Sequence, residues 1–372
     1  MNYSYRKILF FTYVNKENYK DINEGGLARF LGLYKYLESI CAQKKYIRID
    51  RSCSLLTRLA RVYINLLFTK RCLIILQYPS LGIPIFGEGL ISTALRKIFL
   101  KLIELCSVKN RMYIDVADLP YEQSRDLEIN SNTGFHIFKD IESAMFNLKN
   151  AKYMFASYSM RDYICTKYNL DTNKAIVCIN GGHKIQVFDE EKYKKIISEK
   201  NINYIYAGTL NKGRQIEEII NIFKKCPMCN LILIGINGEW IEQENLSSNI
   251  QYLGSLQEEE AHKLTSMCDV GIIPYDSSRF YYNIAYPTKL SFYVTAGITF
   301  LSTKVSEVQK INERYDVGYT LDIEKWGQFI NTLSKEEINN KKQEINLVKE
   351  NFYWDNIFKA VNLMDDILDA NN

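Results

Sequence analysis

Residues 203–225 read NYIYAGTLNKGRQIEEIINIFKK, and this stretch decides the fold. Asn203–Ala207 has the composition of a strand, Gly208–Gly213 that of a loop, and Ile216–Lys225 carries apolar residues at helical spacing. A glycine loop leading from a strand into a helix lets backbone amides approach a ligand, and Lys212 and Arg214 add positive charge to it. Amide donors, a helix start and cations together suit an anion such as a diphosphate. The loop lacks the GxxxxGK[ST] of a Walker motif.

The same alternation extends in both directions. Downstream, strands are expected at Leu231–Ile234, Gln251–Leu253, Val270–Ile273 and Ile298–Ser302, with helices at Glu258–Met267 and Lys289–Ala296. Upstream, Lys7–Val14 (KILFFTYV) is a near-continuous apolar run, as a buried parallel strand requires. It leads through Gly25-Gly26 into a helix at Leu27–Ile40, the opening of a Rossmann-like unit. Cys72–Gln77, Met112–Val116, Tyr153–Ser157 and Ala175–Ile179 are further strands separated by helical stretches. The expectation is an α/β chain of two Rossmann-like domains facing a cleft. Residues 1–182 form the first domain, 183–201 a lysine-rich linker, 202–345 the second domain, and 346–372 a C-terminal helix crossing back to the first.

Composition bounds what such a chain can do. It has 372 residues, 47% hydrophobic and 24% charged, enough apolar content for a core and length for about two domains. Its net charge of +4 is too mild to point to nucleic acid. The halves differ: residues 1–180 hold 26 Lys/Arg against 16 Asp/Glu, and the remainder 21 against 27. The basic first half therefore suits an anionic surface. No apolar run approaches the roughly 18–20 residues that cross a bilayer, and no signal peptide is read at the N-terminus, so a cytoplasmic protein is expected. The nine cysteines read as reduced thiols, and Cys226-Pro-Met-Cys229 as a turn, since the three histidines (136, 183, 262) supply no matching zinc ligands. No metal site is expected.

A second segment carries chemistry. Val270-Gly-Ile-Ile-Pro-Tyr275 ends a strand, and after a polar aromatic loop comes Ala285-Tyr-Pro-Thr-Lys-Leu-Ser-Phe-Tyr-Val-Thr-Ala-Gly297. Pro287 and Thr288 would open the Lys289 helix, where unpaired amides attract anions, and Gly297 would close it. In the first half, Asp115-Val-Ala-Asp-Leu-Pro-Tyr-Glu122 follows a strand, so Asp118 or Glu122 is placed to act as a base or to hold acceptor hydroxyls, with helix capping as the competing role. Gln77–Gly82 is a second loop of this kind, and His183, after Gly181-Gly182, reads as structural. Arg51–Arg71 and Leu90–Arg111 are basic and amphipathic; such helices can lie on an anionic membrane or pack on a core with a solvated cationic face.

The order AGTLNKGR, LILIG, YLGSLQEEEAHKLTSMCDVGIIPY, YPTKLSFYVTAGITFLST resembles the C-terminal half of GT-B glycosyltransferases, clearly over about residues 203–320. More narrowly it is similar to the family-4-like bacterial transferases that build surface polysaccharides and glycoproteins. The resemblance implies a sugar transferase (EC 2.4) whose nucleotide-sugar donor, a UDP-sugar, is bound without a metal or other cofactor by the C-terminal domain. Its acceptor would be a glycan or a lipid-linked sugar.

Carried over residue by residue, the loop with Gly208, Thr209, Lys212 and Arg214 would cradle the diphosphate. Tyr286, Thr288, Lys289 and Leu290 would face it from the helix start, and Gly254 would lie by the base. Gly25 and Gly26 would approach from the first domain. Many retaining members carry a glutamate where Phe292 stands here; Lys289-Leu-Ser-Phe-Tyr293 is closer to the KLSxY form of some galactofuranosyl- and glucosyltransferases. Retention is the outcome the broader resemblance favours. A UDP-sugar 2-epimerase and a non-catalytic partner of a transferase are the competing functions.

Overall fold

The computed structural model describes residues 8–12, 25–40, 44–48, 54–79, 89–128, 132–184 and 192–361. Outside them lie Cys41, Cys53, part of the 77–82 loop, residues 185–191 of the expected linker, and residues 362–372 of the expected C-terminal helix. The contacts divide the chain into two units. The first contains Arg29–Ile179 with the N-terminal strand and the chain from Ile357; the second contains Asn180–Asn356 together with the start of the first helix up to Ala28.

The first unit is built on strands β1 (Ile8–Thr12), β2 (Lys44–Arg48), β3 (Leu73–Tyr78), β4 (Arg111–Val116), β5 (Ala151–Phe155) and β6 (Ala175–Val177). They form one sheet in the order β2-β1-β3-β4-β5-β6, parallel throughout. Parallel neighbours need crossovers. Helices α1 (Gly25–Ile40), α2 (Leu55–Phe68), α3 (Leu90–Lys109), α4 (Pro120–Leu127), α5 (Asn132–Phe146) and α6 (Tyr158–Tyr168) lie along those connections. All six residues of β3, LIILQY, are buried, which is why its apolar run is continuous rather than alternating.

The second unit repeats the scheme with β7 (Ile202–Ala207), β8 (Cys229–Ile234), β9 (Ile250–Tyr252), β10 (Val270–Ile273), β11 (Thr299–Ser302) and β12 (Gly318–Thr320). Its helices are α7 (Ile216–Lys224), α8 (Glu258–Ser266), α9 (Phe280–Ile284), α10 (Thr288–Thr295), α11 (Ser306–Tyr315), α12 (Trp326–Thr332) and α13 (Lys335–Val348); α14 (Trp354–Lys359) follows. The strand order is β12-β11-β10-β7-β8-β9. The chain thus builds outward from β7 in one direction, then returns to its other side with β10. Helix α7 forms because Ile216, Ile219, Ile220 and Phe223 recur on one face, and all four are buried. Glu217 and Glu218 in its first turn complement the helix dipole.

The structure adds two strands that the pattern did not suggest, β2 (KKYIR) and β12 (GYT). Both are short edge strands, and β2 is largely charged. The expected C-terminal helix at 346–372 is not continuous within the described residues: α13 runs to Val348 and a 3-10 turn at Lys349–Phe352 precedes α14, because Gly182 pairs with Tyr353 and holds the chain extended there. Cys226 and Cys229 form the expected turn, with the Cys229 amide donating to the Cys226 carbonyl at 3.0 Å. Among the described residues no helix is long and apolar enough to cross a membrane, and no group of three His, Cys, Asp or Glu side chains is placed to hold a metal.

One buried ion pair organises the first unit. Arg29 on α1 donates to Asp115 at the end of β4 through Nε (3.0 Å) and Nη2 (2.6 Å), and through Nη1 to the Cys178 carbonyl at 2.6 Å. Its side chain is 1% exposed and that of Asp115 fully buried. Removing one member of such a pair strands the other charge in the core. Arg29→Met is therefore expected to lower the stability of the first unit by about 3–5 kcal/mol in denaturant unfolding; a loss below about 1 kcal/mol would show that the pair is dispensable.

Candidate functional site

In an open α/β sheet, ligands bind beyond the carboxyl ends of the strands where the strand order reverses. In the second unit that place is the gap between β7 and β10. Their ladder runs only through Tyr204–Val270 and Ile205–Gly271. Beyond it the Tyr293 hydroxyl, from α10, accepts from the Ala207 amide at 3.1 Å and donates to the Ile272 carbonyl at 3.1 Å. Burial raises the pKa of this phenol, which keeps the proton it donates. A Cβ on Gly271 would stand 2.2 Å from the Tyr293 ring, so the tyrosine requires a glycine beneath it.

Three strand ends are stacked closely beside this gap. The Gly208 amide donates to the Ile234 carbonyl at 3.0 Å, and the Gly235 amide to the Gly254 carbonyl at 2.9 Å. Gly235 has φ +149°, and a Cβ there would fall 1.6 Å from the Gly208 carbonyl oxygen. No other residue fits this approach.

The pocket over these ends has a volume of ≈ 810 Å³, counting the solvent-open space at its mouth. Ala207 and Gly208 at the end of β7, Ile234–Ile236 at the end of β8, and Ser255 and Leu256 after β9 line it. Glu258 and Ala261 of α8 and Thr288, Lys289 and Phe292 of α10 also contribute, with Ala28, Gly181 and Gly182 completing it.

Lys289 is the cation of the site. It is 8% exposed, with Nζ 4.9 Å from the Tyr206 ring centre, 5.4 Å from that of Tyr275 and 3.5 Å from the Tyr275 hydroxyl. Gly208 makes room for it: a Cβ there would meet Nζ at 2.8 Å. Among the described residues no carboxylate lies within salt-bridge distance of Lys289. Burial works against its charge, but the Tyr206, Tyr275 and Tyr293 hydroxyls more than offset this and hold its pKa above the ordinary lysine value. Arg214 is close enough for its charge to oppose that of Lys289, so two cations share one neighbourhood. Thr288 and Lys289 also begin α10, where the first amides have no partner within the helix.

The rest of the KLSFY segment positions this wall. Leu290 is fully buried. The Ser291 hydroxyl donates to the Asn180 carbonyl and accepts from the Tyr286 hydroxyl, so Tyr286 acts as a brace with 5% exposure. Asn180 thereby carries Gly181 and Gly182 to the pocket, and Gly182 is pinned further by Phe352 and Trp354. His262 donates from Nε2 to the Phe292 carbonyl at 3.1 Å and lies 3.1 Å from the Thr295 hydroxyl. The carbonyl can only accept, so the proton sits on Nε2.

The structure distributes the other expected site residues more widely. Gly25 and Gly26 open α1, one turn before Ala28. Thr209 is held by its carbonyl, which accepts from the Tyr206 hydroxyl at 2.8 Å. Gly254 supports the glycine stack with φ +72°. Lys212 is exposed and turned onto the Trp240 ring at 5.1 Å, and Glu217 accepts from the Gly213 amide at 3.1 Å, occupying a donor of the loop. In the first unit, Asp118 is half-buried and its Oδ1 accepts from the adjacent Leu119 amide at 2.8 Å, without capping α4. Glu122 is fully buried, and its Oε1 accepts from the Tyr163 hydroxyl at 2.6 Å and from Lys167. Lys167 also reaches Glu142 at 2.6 Å. Sequence reasoning missed Gly181, Gly182 and Glu258 as pocket residues; the QEEE run that opens α8 was the one available signal for the last.

No family model and no curated protein matches this sequence. Solved structures match it over nearly its whole length. Sucrose-phosphate synthase from Thermosynechococcus elongatus is 12% identical with a TM-score of 0.69, covering 98% of this chain and 99% of that one. HepE from Anabaena, in complex with UDP-glucose, is 13% identical with a TM-score of 0.62, covering 97% and 99%. WaaG, a glycosyltransferase involved in lipopolysaccharide biosynthesis, is 12% identical with a TM-score of 0.61, covering 96% and 99%. The chain has the glycosyltransferase-type GT-B fold, with two Rossmann-like sheets.

Two tests follow from the site's construction. Tyr293→Phe leaves a part-buried amide and a buried carbonyl without their partner, and is expected to cost about 1–3 kcal/mol in denaturant unfolding of the second unit; an unchanged midpoint would remove the tyrosine's bridging role. Burial, with a smaller contribution from the charge of His183, lowers the His262 pKa from 6.5 to about 4. The unfolded chain then takes up this proton first, so the contribution of His262 to stability falls as pH drops from 6.5 toward about 4. His262→Gln should flatten that part of the Tm-versus-pH curve, and an identical curve would contradict it.

Proposed function

We propose that this chain is a sugar transferase that takes a nucleotide sugar, specifically a UDP-sugar, into the pocket of the second unit and passes the glycosyl group to a glycan or lipid-linked acceptor in bacterial surface-polysaccharide assembly. The observation that carries this reading is Lys289: a nearly buried ammonium with no carboxylate beside it among the described residues, at a pocket wall that also offers the first amides of α10. Such a site is incomplete without an anion. Structures of HepE in complex with UDP and with UDP-glucose, which share the fold, support a nucleotide sugar as that anion.

In the transfer, the bond between the sugar's anomeric carbon and the diphosphate oxygen breaks, and its electron pair leaves with the diphosphate. The acceptor oxygen bonds to the anomeric carbon, and its proton passes to a base. Lys289, Arg214 and the amides of α10 stabilise the departing charge, with no divalent cation in that role. We assign the base to Asp118, since Glu122 is committed to a buried ion network, and retention to the stereochemical outcome. Phe292, rather than a carboxylate, forms the wall along α10.

A second reading has one observation behind it. A Listeria monocytogenes protein assigned as a UDP-N-acetylglucosamine 2-epimerase shares the fold at 8% identity and a TM-score of 0.54. Product analysis separates the two: a transferase releases UDP slowly from its sugar without acceptor, and an epimerase inverts the sugar's second carbon.

Thermal unfolding with UDP, GDP, ADP, dTDP and CMP tests the donor site. A ligand at about 100 times its Kd stabilises the folded state by about 2.7 kcal/mol. UDP is expected to raise Tm in the wild type and in Lys212→Ala but not in Lys289→Ala, and UDP release from the matching sugar is expected to persist in EDTA. No shift with any nucleotide would sink the transferase reading.

A further inference from the structure

Outside the pocket, one cluster of the first unit buries more negative charge than it balances. Glu122 of α4 and Glu142 of α5 have fully buried side chains, and Lys167 of α6, itself 26% exposed, is shared between them. Each carboxylate takes these donors on one oxygen. Glu122 Oε1 accepts from Lys167 and from the Tyr163 hydroxyl at 2.6 Å. Glu142 Oε1 accepts from Lys167 at 2.6 Å and from the Tyr168 hydroxyl at 2.8 Å. Among the described residues neither Oε2 has a hydrogen-bond partner. The Tyr78 hydroxyl, at the end of β3, has none there either, and the charges of Glu142 and Glu122 both act on it.

With both carboxylates ionised, the cluster holds two negative charges against one positive, out of water. Such an excess is costly, and a buried acid relieves it by binding a proton. The two acids are not equivalent. Glu122 stands in the first turn of α4, where the helix dipole complements a negative charge, and Arg125 lies 4.0 Å from its Oε2. Glu142 has neither support, and among the described residues Lys167 is the one cation within salt-bridge distance of it. Its other neighbours add no positive charge. From β3 comes Tyr78, on which Asp118 also acts, and from α6 comes Tyr168. Helix α3 packs on α5 as well, but there Arg96 answers to Asp140. Burial raises the Glu142 pKa above the ordinary carboxyl value; the contacts with Lys167 and Tyr168 offset part of this, and the charge of Glu122 adds to it.

We propose that Glu142 is a proton-binding switch in the first unit. Protonated, it leaves the Glu122–Lys167 pair balanced and α4 held firmly to α5 and α6. Ionised, it adds an uncompensated charge that loosens α4, which begins two residues after Asp118, and so frees that segment. The proton comes from solvent and returns to it. This is independent of the donor reading, because it rests on residues of the first unit alone.

The folded state holds this proton more tightly than the unfolded chain does. The contribution to stability is therefore full below the ordinary value of 4.5 and is lost as pH rises through the folded pKa. Thermal unfolding of the full chain from pH 4.5 to about 8 tests it against Glu142→Gln. The glutamine oxygen still accepts from Lys167 and Tyr168, and its NH2 stands in for the acid's O–H. The variant's Tm is expected to gain on the wild type steadily as pH rises, with the His262 contribution common to both and cancelling in the difference. Hydrogen exchange gives a second readout, which does not require the glutamine variant to fold. Amides of α4 in the wild type should lose protection as pH rises, beyond the intrinsic acceleration of exchange. Tyr168→Phe, which removes a donor from the ionised form, should move that loss to higher pH. A Tm difference that stays constant across the range, protection of α4 that does not change, or an unmoved transition in Tyr168→Phe would each overturn the proposal.

Discussion

Two neighbouring parallel strands whose connections lead in opposite directions must part at their carboxyl ends, and the backbone groups exposed there need a partner that both accepts and donates. Between β7 and β10 the Tyr293 hydroxyl does both. Because Tyr293 sits on α10, the same contact fixes the helix that carries Thr288, Lys289 and Phe292 to the pocket. The site's other wall depends on close backbone approach, with Gly235 against the Gly208 carbonyl. Sheet topology, the segment 289–293 and the pocket are therefore one construction.

Within that construction the sequence places charge where folding alone would not. Burying a lysine without a carboxylate is unfavourable unless something else holds its charge. Here tyrosine ring faces and hydroxyls stabilise the ammonium without neutralising it. A carboxylate would have offset the charge and closed the site to anions. The Glu122–Lys167–Glu142 cluster of the first unit shows the opposite arrangement, in which one lysine is held by two buried carboxylates and so is not left open to an anion.

Much of this was legible in the sequence, for reasons specific to each element. Strands such as Leu73–Tyr78 and Val270–Ile273 announce themselves because both faces of a parallel sheet are covered, so their residues are apolar without alternation. The start of α10 was legible from Pro287 and Thr288, and its end from Gly297, which has φ +80°. The edge strands β2 and β12 were not, since a short strand with one neighbour needs no apolar run. Lys212 and Arg214 are equivalent to a sequence pattern and are separated by Trp240, whose ring takes Lys212. The roles of Gly182 and Tyr293 depend on contacts with residues far along the chain, such as Thr295, Phe352 and Ala207, which no local spacing reveals.

The central claim is that Lys289 is kept charged and unpaired to receive a diphosphate. Titration calorimetry of UDP and of uridine against the wild type and Lys289→Met tests it most directly. The account predicts that the substitution weakens UDP by roughly 10–100-fold, the worth of a charge-assisted hydrogen bond, while uridine binding stays the same. Equal weakening of both ligands, or an undiminished preference for UDP, would contradict it.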